Sequence, residues 1–324
     1  MFTRKPVKLF ITGCLLLGTG ALFAQNYPAK PIRMVVAFAP GGSPDILGRI
    51  LAQKLSERLG QPVIVDNRPG ATGNIGAEAV AKAPPDGYTI FLATSSLAIS
   101  PGFYKTLPFD PVASFVPVTL VASQPLFLLV NAESPAKSIA ELIALAKAKP
   151  GGFNYASPGN GSPQHVSGEL LAGIAGLKLV HVPYKSGGAM VAALLSGEVQ
   201  LMFLGLSPVV SHVKAGKLRV IGVASTRRSP AAPEVPTFAE AGLPEIVADN
   251  WLGVLAPAGT PKGAIDKLHA EIVNALREPE MTERFAQQGA EVNTSANPDG
   301  FAAFLKAEIA KWAKVVAGAG IQAQ

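Results

Sequence analysis

Among its 324 residues the chain holds one cysteine, Cys14, which lies within the first two dozen positions. If that segment is removed on export, neither thiol nor disulfide remains, and stability must come from buried apolar surface. Charge is sparse as well, at 15% of residues, and aromatics make up only 7%. The basic residues form no run and do not alternate with aromatics, so nucleic-acid binding has no support. Beyond residue 24 no stretch is apolar for the roughly 20 residues a membrane span needs. The sequence also lacks a His-Glu-x-x-His pair, a Gly-x-Ser-x-Gly elbow, a Walker loop and any Cys/His cluster at metal-ligand spacing. These absences argue against catalysis and predict a binding protein with no metal and no cofactor.

What the sequence does have begins with an export signal over residues 1–24. Arg4, Lys5 and Lys8 form a basic start, Leu9 to Phe23 is an apolar stretch, and Ala24 is a small residue at a cleavage point, although Leu22 is large for its position. Ile11-Thr12-Gly13-Cys14 has the form of a lipoprotein box, but it follows Lys8 by six residues and leaves too little apolar segment ahead of it. Cleavage after Ala24 takes three of the 28 basic residues and leaves 25 against 22 acidic ones, a weak bias. About 300 residues, 48% of the full chain being hydrophobic, suffice for two domains.

Two stretches are spelled nearly alike: Pro40-Gly41-Gly42-Ser43-Pro44-Asp45 and Gly159-Asn160-Gly161-Ser162-Pro163-Gln164. Each follows a strand-like run, Ile32–Phe38 and Phe153–Ala156, and reads as a turn in which serine caps a helix and proline takes its first position. The glycines let a ligand approach the backbone, and the free N–H groups of a helix start attract anions. The alternative is an ordinary helix start, because Thr260-Pro261 and Asn297-Pro298 repeat the cap-and-proline grammar without the glycines.

Alternating helix and strand patterns predict an α/β fold with mainly parallel sheets. Leu47, Leu51, Leu55 and Leu59 give a helix ending at Gly60, with Val63–Val65 and Tyr88–Ala93 as further strands and Ile75–Ala83 as a helix. Ser138 and Glu141 form a capping box for a helix that reaches Lys149. Strands follow at Val180–Val182, Val199–Leu204 and Leu218–Ala224, and Trp251–Ala256 returns to the first unit, which the helices 261–277 and 298–317 complete. The expected organisation is one lobe from residues 25–124 and 246–324, a second from 125–245, and a ligand cleft between them.

Single residues carry two readings each. His165, three residues beyond Ser162, either supports its loop or reaches the cleft. Asp45 is either a carboxylate favoured by the helix dipole or a ligand contact, with Arg49 one turn on to neutralise it. Arg68 is either a ligand partner or a surface charge.

Several further segments, taken in order, resemble one family. They are Val65-Asp66-Asn67-Arg68-Pro69-Gly70-Ala71-Thr72-Gly73-Asn74-Ile75-Gly76, Asp86-Gly87-Tyr88-Thr89, Leu107-Pro108-Phe109-Asp110-Pro111, Tyr155-Ala156-Ser157-Pro158-Gly159-Asn160-Gly161-Ser162, His181-Val182-Pro183-Tyr184-Lys185, Gly216-Lys217-Leu218-Arg219 and Ala256-Pro257-Ala258-Gly259-Thr260-Pro261. With Pro40–Asp45 they resemble the Bug-type solute receptors of tripartite tricarboxylate transporters over essentially the whole exported chain. The resemblance implies a monomeric, two-lobed periplasmic binding protein of type II. Its carboxylate ligand is held between the lobes by backbone N–H groups and ordered water, then passed to a permease of one large and one small subunit. It also implies the ligand loops: Pro40, Gly41, Gly42, Ser43 and Asp45; Ala71, Thr72, Gly73 and Asn74; Thr94 and Ser95; Ser157, Gly159, Asn160, Gly161 and Ser162 with His165; and Tyr184, Ser186, Gly187 and Ala189. Many relatives carry Asp where this chain has Phe203-Leu204-Gly205-Leu206, so the wall at Gly205 is expected to be more apolar and an amino-acid ligand less favoured. Two other readings stay open: a receptor reporting to a sensor kinase, and a secreted hydrolase using Ser162 and His165.

Overall fold

The computed structural model describes residues 27–318, so the expected signal and Cys14 lie outside the described residues. Its first part runs β1 (Ile32–Val36), α1 (Ser43–Leu59), β2 (Val63–Asn67), α2 (Asn74–Ala81), β3 (Thr89–Thr94), α3 (Ser96–Phe103) and β4 (Phe115–Pro125). A second part follows with β5 (Phe127–Asn131), α4 (Ile139–Ala148), β6 (Phe153–Ser157), α5 (Pro163–Ala175), β7 (Leu179–Pro183), α6 (Gly187–Ser196), β8 (Leu201–Leu204), α7 (Val210–Lys214) and β9 (Leu218–Val223). The chain then returns through β10 (Asp249–Pro257), α8 (Lys262–Leu276), α9 (Pro279–Gln287), β11 (Glu291–Val292) and α10 (Pro298–Gly318). None of the described helices is long and apolar enough to cross a membrane.

Two sheets result, ordered β11-β4-β10-β3-β1-β2 and β7-β6-β8-β5-β9, and each belongs to one lobe. The expectation of mainly parallel sheets holds for strand direction but not for pairing. In the first sheet β1, β2, β3 and β4 run one way, and in the second β6, β7, β8 and β9 do. The strand by which the chain enters each lobe from the other, β10 or β5, runs against these and sits inside the sheet. It therefore makes antiparallel pairs on both sides. One consequence is that the C-terminal ends of the co-directional strands face the cleft, where open α/β sheets bind ligands.

At the crossing, three chain passes are stitched by backbone bonds. Leu126 N–H donates to Ala248 O (3.3 Å), Ala248 N–H to Ala224 O (2.9 Å) and Ala224 N–H to Leu126 O (2.8 Å). One apolar cluster runs from Phe91 and Phe103 through Leu126 and Trp251 into Tyr155 and Phe203, so the lobes share a core beside the hinge.

Helix α1 shows how the sequence sets the layers. Leu47, Leu51 and Leu55 are buried against Met34, Val36 and Leu92. Gly48 lets the helix approach the sheet, since a Cβ there would lie 2.9 Å from Leu92 Cδ2. Gly60, at φ 64°, ends the helix in the left-handed conformation. On the other face of the sheet Trp251 and Trp312 both donate their indole N–H to the buried carboxylate of Glu308, at 3.0 and 2.9 Å, which locks α10 to β10.

Candidate functional site

Between the lobes lies a cavity of about 530 Å³. Its first-lobe wall is built by loops that follow β1, β2 and β3, and its second-lobe wall by loops that follow β6, β7 and β8. Five prolines, Pro44, Pro69, Pro158, Pro163 and Pro183, together with Phe38, Met190 and Leu204, make much of the lining apolar. Among the described residues that line it, Lys185 is the only charged one, and it is exposed at the rim.

The start of α1 departs from the expected register by one residue. Gly42 is the N-cap, Ser43 is the first helical residue and Pro44 the second. Asp45 stands third and reaches back to accept the Gly41 N–H at 2.9 Å, in the manner of the third helical residue of a capping box. Ser43 Oγ is thereby left buried, on the cavity wall and without a hydrogen-bond partner among the described residues. The Asp45 carboxylate also accepts from Arg49 Nε (3.1 Å) and Asn67 Nδ2 (2.9 Å). Burial pushes its pKa up, but the bonds from Arg49, Gly41 and Asn67 outweigh this and hold it below the usual carboxylate range. Asp45 organises the loop from behind and does not line the cavity.

Opposite Gly42 stands Gly187, the first residue of α6. A Cβ on Gly187 would come within 3.7 Å of Gly42 Cα, so two helix starts face each other across the cleft. Ser186 caps α6, accepting the Ala189 N–H at 3.2 Å, while the earlier N–H groups of the helix have no intrahelical acceptor. Tyr184, Ser186 and Gly187 line the cavity; Ala189 only feeds the cap.

The second glycine-serine turn is placed differently. Ser162 does cap α5, accepting the His165 N–H at 3.1 Å, and Pro163 is the first helical residue. Yet Ser157, Gly159, Asn160, Gly161, Ser162 and His165 all lie off the cavity wall. Instead the turn meets the first lobe directly through Asn160, Gly161 and His165. Thr72 Oγ1 donates to Asn160 O at 2.7 Å, and a Cβ on Gly161 would press on Phe103 at 3.2 Å. The His165 ring packs edge-on against Phe103 and lies 4.3 Å from the His181 ring, with Tyr155 stacked beside them. Burial pushes both histidines down to about 4, and for His181 the neighbouring His165 adds to the effect. The geometry a hydrolase would need is not made, because the Ser162 hydroxyl donates to Gly159 O at 2.7 Å while His165 Nδ1 accepts from Gly161 N–H.

Of the remaining expected residues, Ala71, Thr72, Gly73, Thr94 and Gly205 line the cavity, whereas Pro40, Gly41, Asn74 and Ser95 stand behind it. Ser95 Oγ donates to Asn250 Oδ1 and Asn74 Oδ1 accepts from Ser100. Arg68 is exposed and pairs with Asp66. Sequence reasoning missed Ser96, Gln124, Gln164 and Asn250, which also line the cavity. The signal available for Gln124 and Asn250 was a polar residue at the cleft end of an apolar strand, but the strand holding Gln124 was itself not recognised.

A family model described as the tripartite tricarboxylate transporter family receptor matches residues 47–321. The chain belongs to this family. Among its relatives is the protein BugT of Bordetella pertussis, 41% identical over 299 residues that cover 92% of this chain and 91% of BugT. Among solved structures, the periplasmic binding protein BugD superposes with a TM-score of 0.88 at 35% identity, covering 92% of this chain and all of that one. Rpa4515 of R. palustris, solved with adipate, gives 0.89 at 35% identity with the same coverage. The family and these neighbours are binding proteins, so this receptor's two-lobed α/β architecture and its cleft are those of a solute-binding protein.

Proposed function

We propose that this receptor captures a small organic carboxylate in the periplasm and delivers it to a membrane permease of one large and one small subunit. The observation that carries the reading is the pair of opposed helix starts at Ser43 and Gly187, with Lys185 at the rim. Both present N–H groups without intrahelical acceptors, and the dipole of each helix favours an anion there. Three hydrogen bonds to a carboxylate contribute about 1.5 to 3 kcal/mol each, and burial of the ligand's apolar body against the prolines, Phe38 and Met190 adds to them against the cost of ordering. Adipate in Rpa4515 and the periplasmic setting of BugD support the same reading.

In this reading Gly42, Ser43, Thr72, Ser186 and Gly187 contact the ligand. Asp45 holds the loop that carries Gly42 and Ser43, while Ser157, Ser162 and His165 shape the turn that meets the first lobe at Thr72 and Phe103. Native mass spectrometry of the exported chain against mono- and dicarboxylates and their methyl esters tests the proposal. Binding of acids at one per chain, with esters not retained, is the expected result; retention of esters alone would reject it.

A further inference from the structure

At the hinge end of the cavity two amides lie side by side. Gln124 on β4 and Asn250 on β10 are cross-strand partners, and both line the cavity. Gln124 is fully buried. Its Nε2 donates to Ser207 Oγ at 2.8 Å and to the Gln288 carbonyl at 2.9 Å. A carbonyl only accepts, so turning the amide over would set two acceptors against each other at Gln288. Oε1 is thereby fixed on the other side, buried and without a hydrogen-bond partner among the described residues. The amide packs on Gly205, where a Cβ would come within 2.5 Å of Gln124 Cδ and Oε1. Asn250 Oδ1 is taken by the Ser95 hydroxyl at 2.9 Å, which leaves its NH₂ to donate.

We propose that this amide pair recognises a hydroxyl group on the ligand, so that the receptor selects hydroxy acids and Gln124 is the residue that decides it. The inference rests on the carboxylate reading above. A second carboxylate has only acceptors and would face Oε1 unfavourably. An ammonium group can donate, but among the described residues no Asp or Glu lines the cavity, and the charge would be buried unpaired. A plain alkyl or aryl end leaves Oε1, which is already buried, without a partner. A hydroxyl donates to Oε1 and accepts from Asn250, which matches both amides.

The test is calorimetry with matched pairs: benzoate against 4-hydroxybenzoate, hexanoate against 6-hydroxyhexanoate, and adipate. The wild-type protein is expected to bind the hydroxylated member of at least one pair about tenfold or more tightly than its partner, and more tightly than adipate. Gln124→Met, close in shape and without the acceptor, is expected to erase that difference while still binding the plain acid. Equal affinity within both pairs overturns the inference and leaves the carboxylate receptor intact, and so does discrimination that survives in Gln124→Met. Failure of every acid to bind removes the carboxylate reading and this inference with it. If the variant does not fold, the wild-type pairs alone decide.

Discussion

The Thr72 hydroxyl donates a 2.7 Å hydrogen bond to the carbonyl of Asn160, joining the loop after β2 in one lobe to the loop after β6 in the other. Thr72 holds this position with φ at 54°, in the left-handed region that a β-branched residue rarely adopts, and Ala71 beside it has φ 46°. Such strain costs on the order of 1 to 3 kcal/mol per residue and persists only when surrounding contacts impose it. The turn is closed within its own lobe by Gly73 N–H on Gly70 O at 3.0 Å, and across the cleft by the Thr72 hydroxyl. Thr72→Ala should therefore favour lobe separation and weaken ligand binding about three- to tenfold, while Thr72→Ser, which keeps the hydroxyl, should bind close to wild type. Calorimetry on the three proteins checks this, and unchanged affinity in Thr72→Ala would mean that the bond plays no part in closure.

The two similar turns should separate under the same substitution. Ser162 caps α5 and lies off the cavity, so Ser162→Ala should cost about 1 kcal/mol of stability and leave ligand affinity within about twofold. Ser43 caps nothing and lines the cavity, so Ser43→Ala should hardly change the melting temperature without ligand but should weaken binding about five- to tenfold. Thermal melts combined with titrations read both effects.

Gly205 has no room for a side chain, since Gln124 fills the space its Cβ would need. Gly205→Ala should destabilise the protein by about 1 to 3 kcal/mol, as overpacking does, and should also move the Gln124 amide. The expected signature is a lower denaturation midpoint accompanied by a change in ligand preference.

Acid should loosen the His165–His181 contact beside the lobe interface. Both groups titrate near 4 in the folded protein because burial disfavours the charged ring, against about 6.5 when unfolded. The unfolded chain therefore binds more protons between these values, and stability falls as pH drops from about 6.5 towards 4. For His165, which is buried, the loss is on the order of 3 kcal/mol across that window. Melting temperatures from pH 7 to 4 should fall accordingly, and less steeply in His181→Gln, which can keep a bond to Ser157.

The amphipathic spacing of α1, the glycine that ends it and the alternation of strands with helices were legible because local rules determine them. β4 was not legible, because Pro117 and Pro125 interrupt its pattern; the sheet accommodates Pro117 next to a register shift opposite Val254 and Leu255. The site was legible in part. Similar spelling at Ser43 and Ser162 predicted similar helix starts, and two helix starts do form. Which of them faces the cavity depends on how α3 and the loop after β2 pack, and no short motif carries that information. The helix start that opposes Ser43 is Ser186–Gly187 of α6, and its cross-cleft approach to Gly42 exists only once the lobes are assembled.

The two opposed helix starts bind the ligand only if its carboxylate lies between them. A crystal structure of the protein with its tightest-binding acid tests this directly. The carboxylate is expected between Ser43 and Ser186–Gly187, within about 2.7–3.2 Å of N–H or hydroxyl groups from both lobes. A carboxylate bound elsewhere in the cavity, or held by one lobe alone, would contradict it.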